Sequence, residues 1–364
     1  MSSIIKVDTI QDQAGNNIIN ESSDTITIGA SGDTVNVVGT LQNNGSGVGI
    51  TSKEGGTNFT NSLLVGTDTT GTLDDANSNT GVGVGVLGAL TTGDCNVAVG
   101  FNALDLNTTG GFNTAIGAQS LEKNTTANSN TGLGFKALCT NTTGAENTAV
   151  GQVALLANTT GASNVGVGKS SLTANTTASN NTAVGHNSLK TNTTGASNTS
   201  IGGCALHSNT TASDNTGIGF NNSFSNTTGT NNTSIGRSAF YNNTTGSSNI
   251  SVGNESLNAN TTGANNTAVG LCALNDNTTA DNNTAVGSCS LKANTTGSAL
   301  TALGKSALTA NTTGSGNVAL GNAMESNTTG SNNTAGGNGA LQSNTTASGN
   351  TAFGRIALSA NTTG

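Results

Sequence analysis

The residues able to carry chemistry are few and do not converge. Two histidines, His186 and His207, five cysteines, Cys95, Cys139, Cys204, Cys272 and Cys289, and 18 acidic side chains are spread over 364 residues. A zinc centre needs three or four His, Cys or carboxylate ligands at short spacing. A phosphate cradle would read GxxxxGK[ST], and a calcium solenoid GGxGxDxUx. Neither pattern occurs, no CxxC pair is present, and the carboxylates form no repeated or clustered pair of the kind glycoside hydrolysis needs. The sequence therefore assigns no catalytic, cofactor-binding or metal residues and predicts a protein that is not an enzyme. Cys272 and Cys289 fall at one repeat position in adjacent turns, where stacking brings them near each other. A stacking distance of about 4.8 Å would allow a disulfide between them, and the expectation is that a cytoplasmic folding environment keeps the thiols reduced instead.

Composition narrows the class further. Charged residues are 8%, aromatics 2%, Pro and Trp are absent, and Gly numbers 52. Gly, Asn and Thr are poor helix formers, and the missing Pro excludes collagen. The net charge of −8 is dilute, and no Lys/Arg cluster forms a nucleic-acid stripe. No apolar run is long enough for a membrane span, and the start, MSSIIKVDTIQDQ, lacks a secretory apolar segment. No nucleic-acid partner and no membrane insertion are expected.

What orders such a chain is repetition. From Gly83 to Gly354 a glycine recurs every 17 residues, with one 16-residue step from Gly321 to Gly337, in the consensus NTAVGxxALxxNTTGxx. Four residues before each unit glycine stands Asn, with Leu300 the exception, and one residue before it an apolar side chain, with Gly336 the exception. Two residues before it stands Gly, Ala or Ser, and four after it Leu in most units. In two units Phe240 and Ser223 replace that Leu, and Phe224 reads as the stand-in for Ser223.

A period of 17 is too short for helical-hairpin repeats and suits one turn of a β-solenoid. The reading is an all-β parallel β-solenoid, or β-roll, of about 17 coils of seventeen residues, each with two extended segments, NTAV and xALxx. Stacked identical residues form ladders. An Asn ladder through Asn113, Asn147, Asn181 and Asn198 hydrogen-bonds along the axis. The core ladder is assigned to Val99, Ile116, Val150, Val184 and Ile201 with Leu104, Leu155, Leu206 and Leu274 opposite. The small residues two before the glycine then face outward, where they permit close approach of another chain. Such a thin interior predicts lateral association, most simply a parallel homotrimeric fibre. The single deletion, before Met324, should be absorbed at a corner, because a slip within a strand reverses its faces.

The segments Asn113-Thr114-Ala115-Ile116-Gly117 and Asn147-Thr148-Ala149-Val150-Gly151 resemble the head repeat NSVAIGxxS of YadA-like trimeric autotransporter adhesins. The resemblance spans about residues 79–364 and implies a left-handed β-roll packed as a trimer. The chain departs from that family in its longer repeat period and shows no signal peptide, coiled-coil stalk or membrane anchor. The opening MSSIIKVDTIQDQAGNNIINE, followed by SSDTITIGASGDTVNVVGTL, looks like the start of tail-fibre and other virion structural proteins of marine cyanobacterial phages. It implies attachment of the N-terminus to a virion.

Three regions follow: 1–40 as an N-terminal virion-attachment β region, with strands at Ile26–Ile28 and Thr34–Val38; 41–78 as a Gly-rich linker or collar with an imperfect first repeat near Leu64, Val65 and Gly66; and 79–364 as the repeat shaft. The expected function is a structural phage tail fibre, folded in the host cytoplasm and located in the virion. The expected partners are a homotrimer, a virion tail or baseplate/portal-proximal protein bound through residues 1–60, and a host surface receptor reached by a C-terminal tip or partner. A bacterial cell-surface trimeric adhesin is the alternative, and an ice-binding solenoid a remote one, since NTT supplies one outward Thr per turn unless it forms a corner. The last unit, ending at Asn361-Thr362-Thr363-Gly364, is not an atypical capping unit, so either a longer parent chain or a separate tip protein is expected to cover it.

Overall fold

The structure is a computed structural model that describes residues 58–66 and 70–363, together with the backbone of short strands at Gln42–Asn43, Ser46–Gly47 and Ser52–Glu54. The chain divides into two units, Met1–Gly49 and Ile50–Gly364. In the first, Gln42–Asn43 and Ser46–Gly47 pair antiparallel. The strands expected at Ile26–Ile28 and Thr34–Val38 lie outside the described residues.

The second unit is an all-β parallel solenoid of about 17 coils. Every turn contributes one three-residue strand, such as Thr148–Val150, Thr182–Val184 or Thr199–Ile201. Strands of consecutive turns pair parallel and in register, Thr182 with Thr199, Ala183 with Ser200, Val184 with Ile201. The ladder runs in chain order and does not close on itself: Thr351–Phe353 pairs with Thr334–Gly336. At the other end Leu63–Val65 forms the first parallel strand, and Ser52–Glu54 pairs with it antiparallel. That hairpin occupies a strand edge that would otherwise present unpaired N–H and C=O groups.

The second segment of each turn is not the extended strand expected from sequence. From Gly151 to Ala157 the chain is a continuous series of turns. Val153 has φ 53° and Leu155 φ 50°, and the equivalent residues of the other turns repeat this left-handed conformation, as at Leu172 (φ 49°) and Leu189 (φ 49°). A left-handed L-residue costs about 1–2 kcal/mol. Hydrogen bonds to the next turn hold it in place: Leu155 N–H donates to Ser171 O at 3.0 Å, and Ala157 N–H to Thr173 O at 3.0 Å.

The strand faces are the reverse of those expected. The core ladder assigned to Val99, Ile116, Val150, Val184 and Ile201 points outward; Val99, Ile116 and Ile201 are 36%, 38% and 39% exposed. The small residues at the middle of each strand, such as Ala98, Ala115, Ala149, Ala183 and Ser200, are fully buried. Crowding is the physical reason. Leu104, Leu155, Leu206 and Leu274 are buried and already fill the interior. A Cβ placed on Gly217 would lie 3.0 Å from Leu206 Cγ, and one on Gly166 3.3 Å from Leu155 Cγ. The small residues therefore answer to the interior of their own chain, not to an approaching neighbour.

Two local variations follow the same logic. Phe240 is buried in the Leu row beside Ser223, while Phe224, expected as the stand-in, lies outside the core. The one-residue deletion is taken up at a corner. Val318–Leu320 keeps register with Thr334–Gly336, and Met324 enters the Leu row, buried, with φ 52°.

The unit glycine is fixed by two constraints. Gly151 has φ +134°, and a Cβ there would sit 2.7 Å from the backbone of Gly168 in the next turn. Gly151→Ala should therefore unfold the chain at a lower temperature than wild type. Val153→Asn should raise stability by about 0.5–1 kcal/mol, because Asn tolerates this conformation better than a β-branched residue. Asn187 (φ 55°) and Asn221 (φ 52°) already occupy that position in other turns. Thermal unfolding of both variants checks the pair of expectations.

Candidate interaction surface

Inside the solenoid two Asn rows run along the axis. Asn113, Asn147, Asn181 and Asn198 belong to the row that opens each strand, and all four are fully buried. Asn147 N–H and Nδ2 both donate to Asn130 Oδ1, at 2.9 and 3.2 Å, and Nδ2 also donates to Gly161 O at 2.8 Å. Asn198 repeats the pattern on Asn181 Oδ1 and Ala212 O. The second row comes from NTT. Asn158 Nδ2 donates to Asn141 Oδ1 at 2.8 Å and to Gly161 O at 2.9 Å. Gly161 O thus accepts from both rows, as Ala178 O does from Asn164 and Asn175. The second row's role as an internal ladder was not assigned from sequence; the NTT triplet, repeated from Asn107 to Asn361, was its signal. In the NTT corner, Thr159 Oγ1 donates to Thr176 O at 3.1 Å, whereas Thr160 is exposed.

The outer face of the sheet is two residues wide. One row is mostly Thr, with Thr148, Thr182 and Thr199 partly buried; the other is the Val/Ile/Leu row that runs in register from Val65 to Leu320, with Val150, Val184 and Ile201 within it. Neither row contains a charged residue in any turn. Around the corner, one residue after the unit glycine, the chain exposes Phe101, Phe135, Phe220 and Leu271, and places Lys169, Arg237, Lys305 and Arg355 in that same row. The face is thus uncharged at its centre, with Phe, Lys and Arg scattered along the row beside it.

A separate row, five residues after the unit glycine, gathers the titratable and aromatic groups. Burial raises the Asp105 carboxyl, and Glu122 in the next turn raises it further. Cys139 Sγ lies 3.3 Å from Glu122 Oε2, and burial together with that carboxylate pushes its thiol up to about 11. Farther along, His207, Phe224 and Tyr241 stack in three successive turns, with ring centroids 4.8 and 5.4 Å apart and planes within 11°. Burial, then Lys190, holds the His207 imidazole below its ordinary range, and its Nδ1 has no hydrogen-bond partner. His186 lies in a different row, one residue after its unit glycine, so the two histidines are not brought together. Among the described residues no three His, Cys, Asp or Glu side chains gather as a metal centre, and no helix is long and apolar enough to cross a membrane. Burial and the neighbouring Cys289 raise the Cys272 thiol, and all five cysteines are free.

Asn147→Ala removes the Nδ2 donor to Asn130 Oδ1 and Gly161 O and the Oδ1 acceptor of Asn164. It should cost about 2–4 kcal/mol in denaturant unfolding, since buried partners are left unsatisfied. The exposed Thr160→Ala should stay within about 0.5 kcal/mol of wild type. His207 supplies a pH signature. Its folded pKa lies below the unfolded value near 6.5, so the unfolded chain binds the proton more readily. Stability should fall as pH drops through about 6.5 toward that lower folded value. His207→Phe extends the aromatic stack, and its Tm should change less than that of wild type between about pH 7.5 and about pH 5.

Compared with protein-family models and with curated proteins, the chain matches none.

Proposed function

We propose that the chain is a structural shaft: a virion fibre whose nonrepetitive N-terminal region attaches it and whose solenoid assembles as a parallel homotrimer. The observation that carries the assembly is the outward Thr and Val/Ile/Leu face, uncharged through every turn. Seventeen turns at strand spacing extend over about 80 Å, and a strip about 10 Å wide amounts to on the order of 800 Å², the area per partner of a standard stable interface. The Val/Ile/Leu row alone, about 5 Å wide, exposes on the order of 400 Å² of continuous apolar surface, a patch size that is often functional.

A second copy of the same chain is the partner this face fits. Its rows repeat at the strand spacing over the whole length, and only a surface of equal period stays in register with them. Cyclic symmetry then closes the assembly without leaving a free face. The attribution to a virion rests on the N-terminal resemblance to cyanobacterial phage fibres. A shaft this uniform supplies distance and stiffness, and specific receptor recognition falls to a tip or a partner protein.

Val150 and Val184 are outward, so Val150→Asp with Val184→Asp should leave each solenoid folded by circular dichroism but abolish the assembly. Analytical ultracentrifugation should give about three times 35.3 kDa for wild type and the mass of one chain for the variant. A wild-type monomer, or a variant that keeps the wild-type mass, would overturn the assignment of this face. For attachment, a chain lacking residues 1–49 should still form the shaft and fail to join virions.

A further inference from the structure

Cys272 and Cys289 stand two residues after the unit glycines Gly270 and Gly287, in adjacent turns. The turns are in register on both sides of them. Thr267, Ala268 and Val269 pair with Thr284, Ala285 and Val286 in the strands, and Cys272 N–H donates to Asn254 O as Cys289 N–H does to Leu271 O, at 3.0 and 2.8 Å. Both cysteines are left-handed, with φ 50° and 57°, and both are partly buried. Equivalent backbones one turn apart send their Cα–Cβ bonds in the same direction, so the Cβ atoms remain about one strand spacing apart, ~4.8 Å.

That separation distinguishes two chemistries. A disulfide wants Cβ atoms about 3.5–4.5 Å apart and sulfurs at about 2.05 Å. Parallel Cβ vectors at the stacking distance meet neither requirement unless the two turns move together, and the ladder hydrogen bonds resist that. Two metal–sulfur bonds of about 2.3 Å in a line, by contrast, span about 4.6 Å. A cation that accepts two-coordinate linear thiolate ligation therefore bridges the pair with the backbone unmoved. Zinc prefers four ligands, and among the described residues no third His, Cys, Asp or Glu joins the pair as a metal group. Thiolates select soft ions.

We propose that Cys272 and Cys289 form a two-coordinate binding site for a soft monovalent cation, of which Cu(I) is the physiological representative and Ag(I) a surrogate. Each thiol releases its proton on binding, so one cation and two thiols give one bis-thiolate complex and two protons, with no change of oxidation state. The ion ties two adjacent turns together on the surface of the solenoid.

The test uses the full chain carrying Cys95→Ser and Cys204→Ser, which removes the other accessible thiols. Ser replaces Cys safely in the latter row, because Ser170, Ser238 and Ser306 occupy it with φ 59°, 50° and 56°. Cu(I) is offered anaerobically as its bathocuproine disulfonate complex, and loss of the chelate colour reports transfer. One ion per chain should be taken up. Adding Cys272→Ser or Cys289→Ser should each weaken binding by about 100-fold or more, because a chelating pair becomes a single thiol. Circular dichroism should show the fold unchanged in all variants. Equal uptake by the single-thiol variants would overturn the site. So would rapid formation of a Cys272–Cys289 disulfide with oxidised glutathione, read by peptide mass spectrometry, since it would place the sulfurs closer than the stacking distance allows.

Discussion

The structure depends on one buried polar contact repeated in most turns: two Asn side chains converging on a single corner carbonyl, as Asn147 and Asn158 do on Gly161 O. An unsatisfied buried amide costs about 1–3 kcal/mol, so two such rows are tolerable only when nearly every member is paired. Pairing each Asn with the Asn of the neighbouring turn fixes the length of the turn. An insertion in the strand or in the NTT corner would strand amides from several turns at once, whereas the segment between Gly321 and Met324 makes no such contact and absorbs a deletion. Leu300 marks how far the rule bends. Its N–H still donates to Asn283 Oδ1, but it offers no amide of its own to the next turn.

The Asn rows also account for what surrounds them. They take up interior volume that a larger apolar core would use, leaving one Leu and a few small residues per turn, such as Leu155 with Ala149 and Ala154. The Leu reaches inward only because its backbone adopts a left-handed conformation, as at Leu155 with φ 50°. That cost recurs along the chain and is offset by inter-turn hydrogen bonds and burial. Like charges would stack at the strand spacing in any row, which is unfavourable. The scarcity of charge throughout the chain is consistent with this constraint.

With the interior filled by Leu, Asn and small residues, the larger β-branched side chains of the strand are left outside. Val99, Ile116 and Ile201 are exposed through this competition for space. An outward apolar stripe on a protein with few charges has to be covered or it associates without control. In the proposed homotrimer the stripe would form the seam, and the crowding that shapes the single chain would then also supply the force that joins chains. The variable rows away from that face, including the His207–Phe224–Tyr241 stack and the Cys272–Cys289 pair, are where individual turns depart from the common pattern.

Much of the fold was legible in the residues. The 17-residue period, the unit glycines, the buried Leu row and the first Asn row each follow from a residue type whose physical requirement is nearly unique: positive φ for Gly151, a paired amide for Asn147, burial for Leu155. The proposed interaction surface was not legible, because a strand of alternating residues states that two faces differ without stating which is inward. Thr-Ala-Val reads equally well with Val inside, and hydrophobicity alone prefers that answer. Only the tertiary structure decided it, since the inward space left beside a left-handed Leu and two Asn side chains accommodates Ala and not Val. The same holds for the second segment of the turn: nothing in Val153-Ala154-Leu155 announces left-handed backbone, and hydrogen bonds to the turns on either side, from Val153 N–H to Phe135 O and from Leu155 N–H to Ser171 O, hold it there.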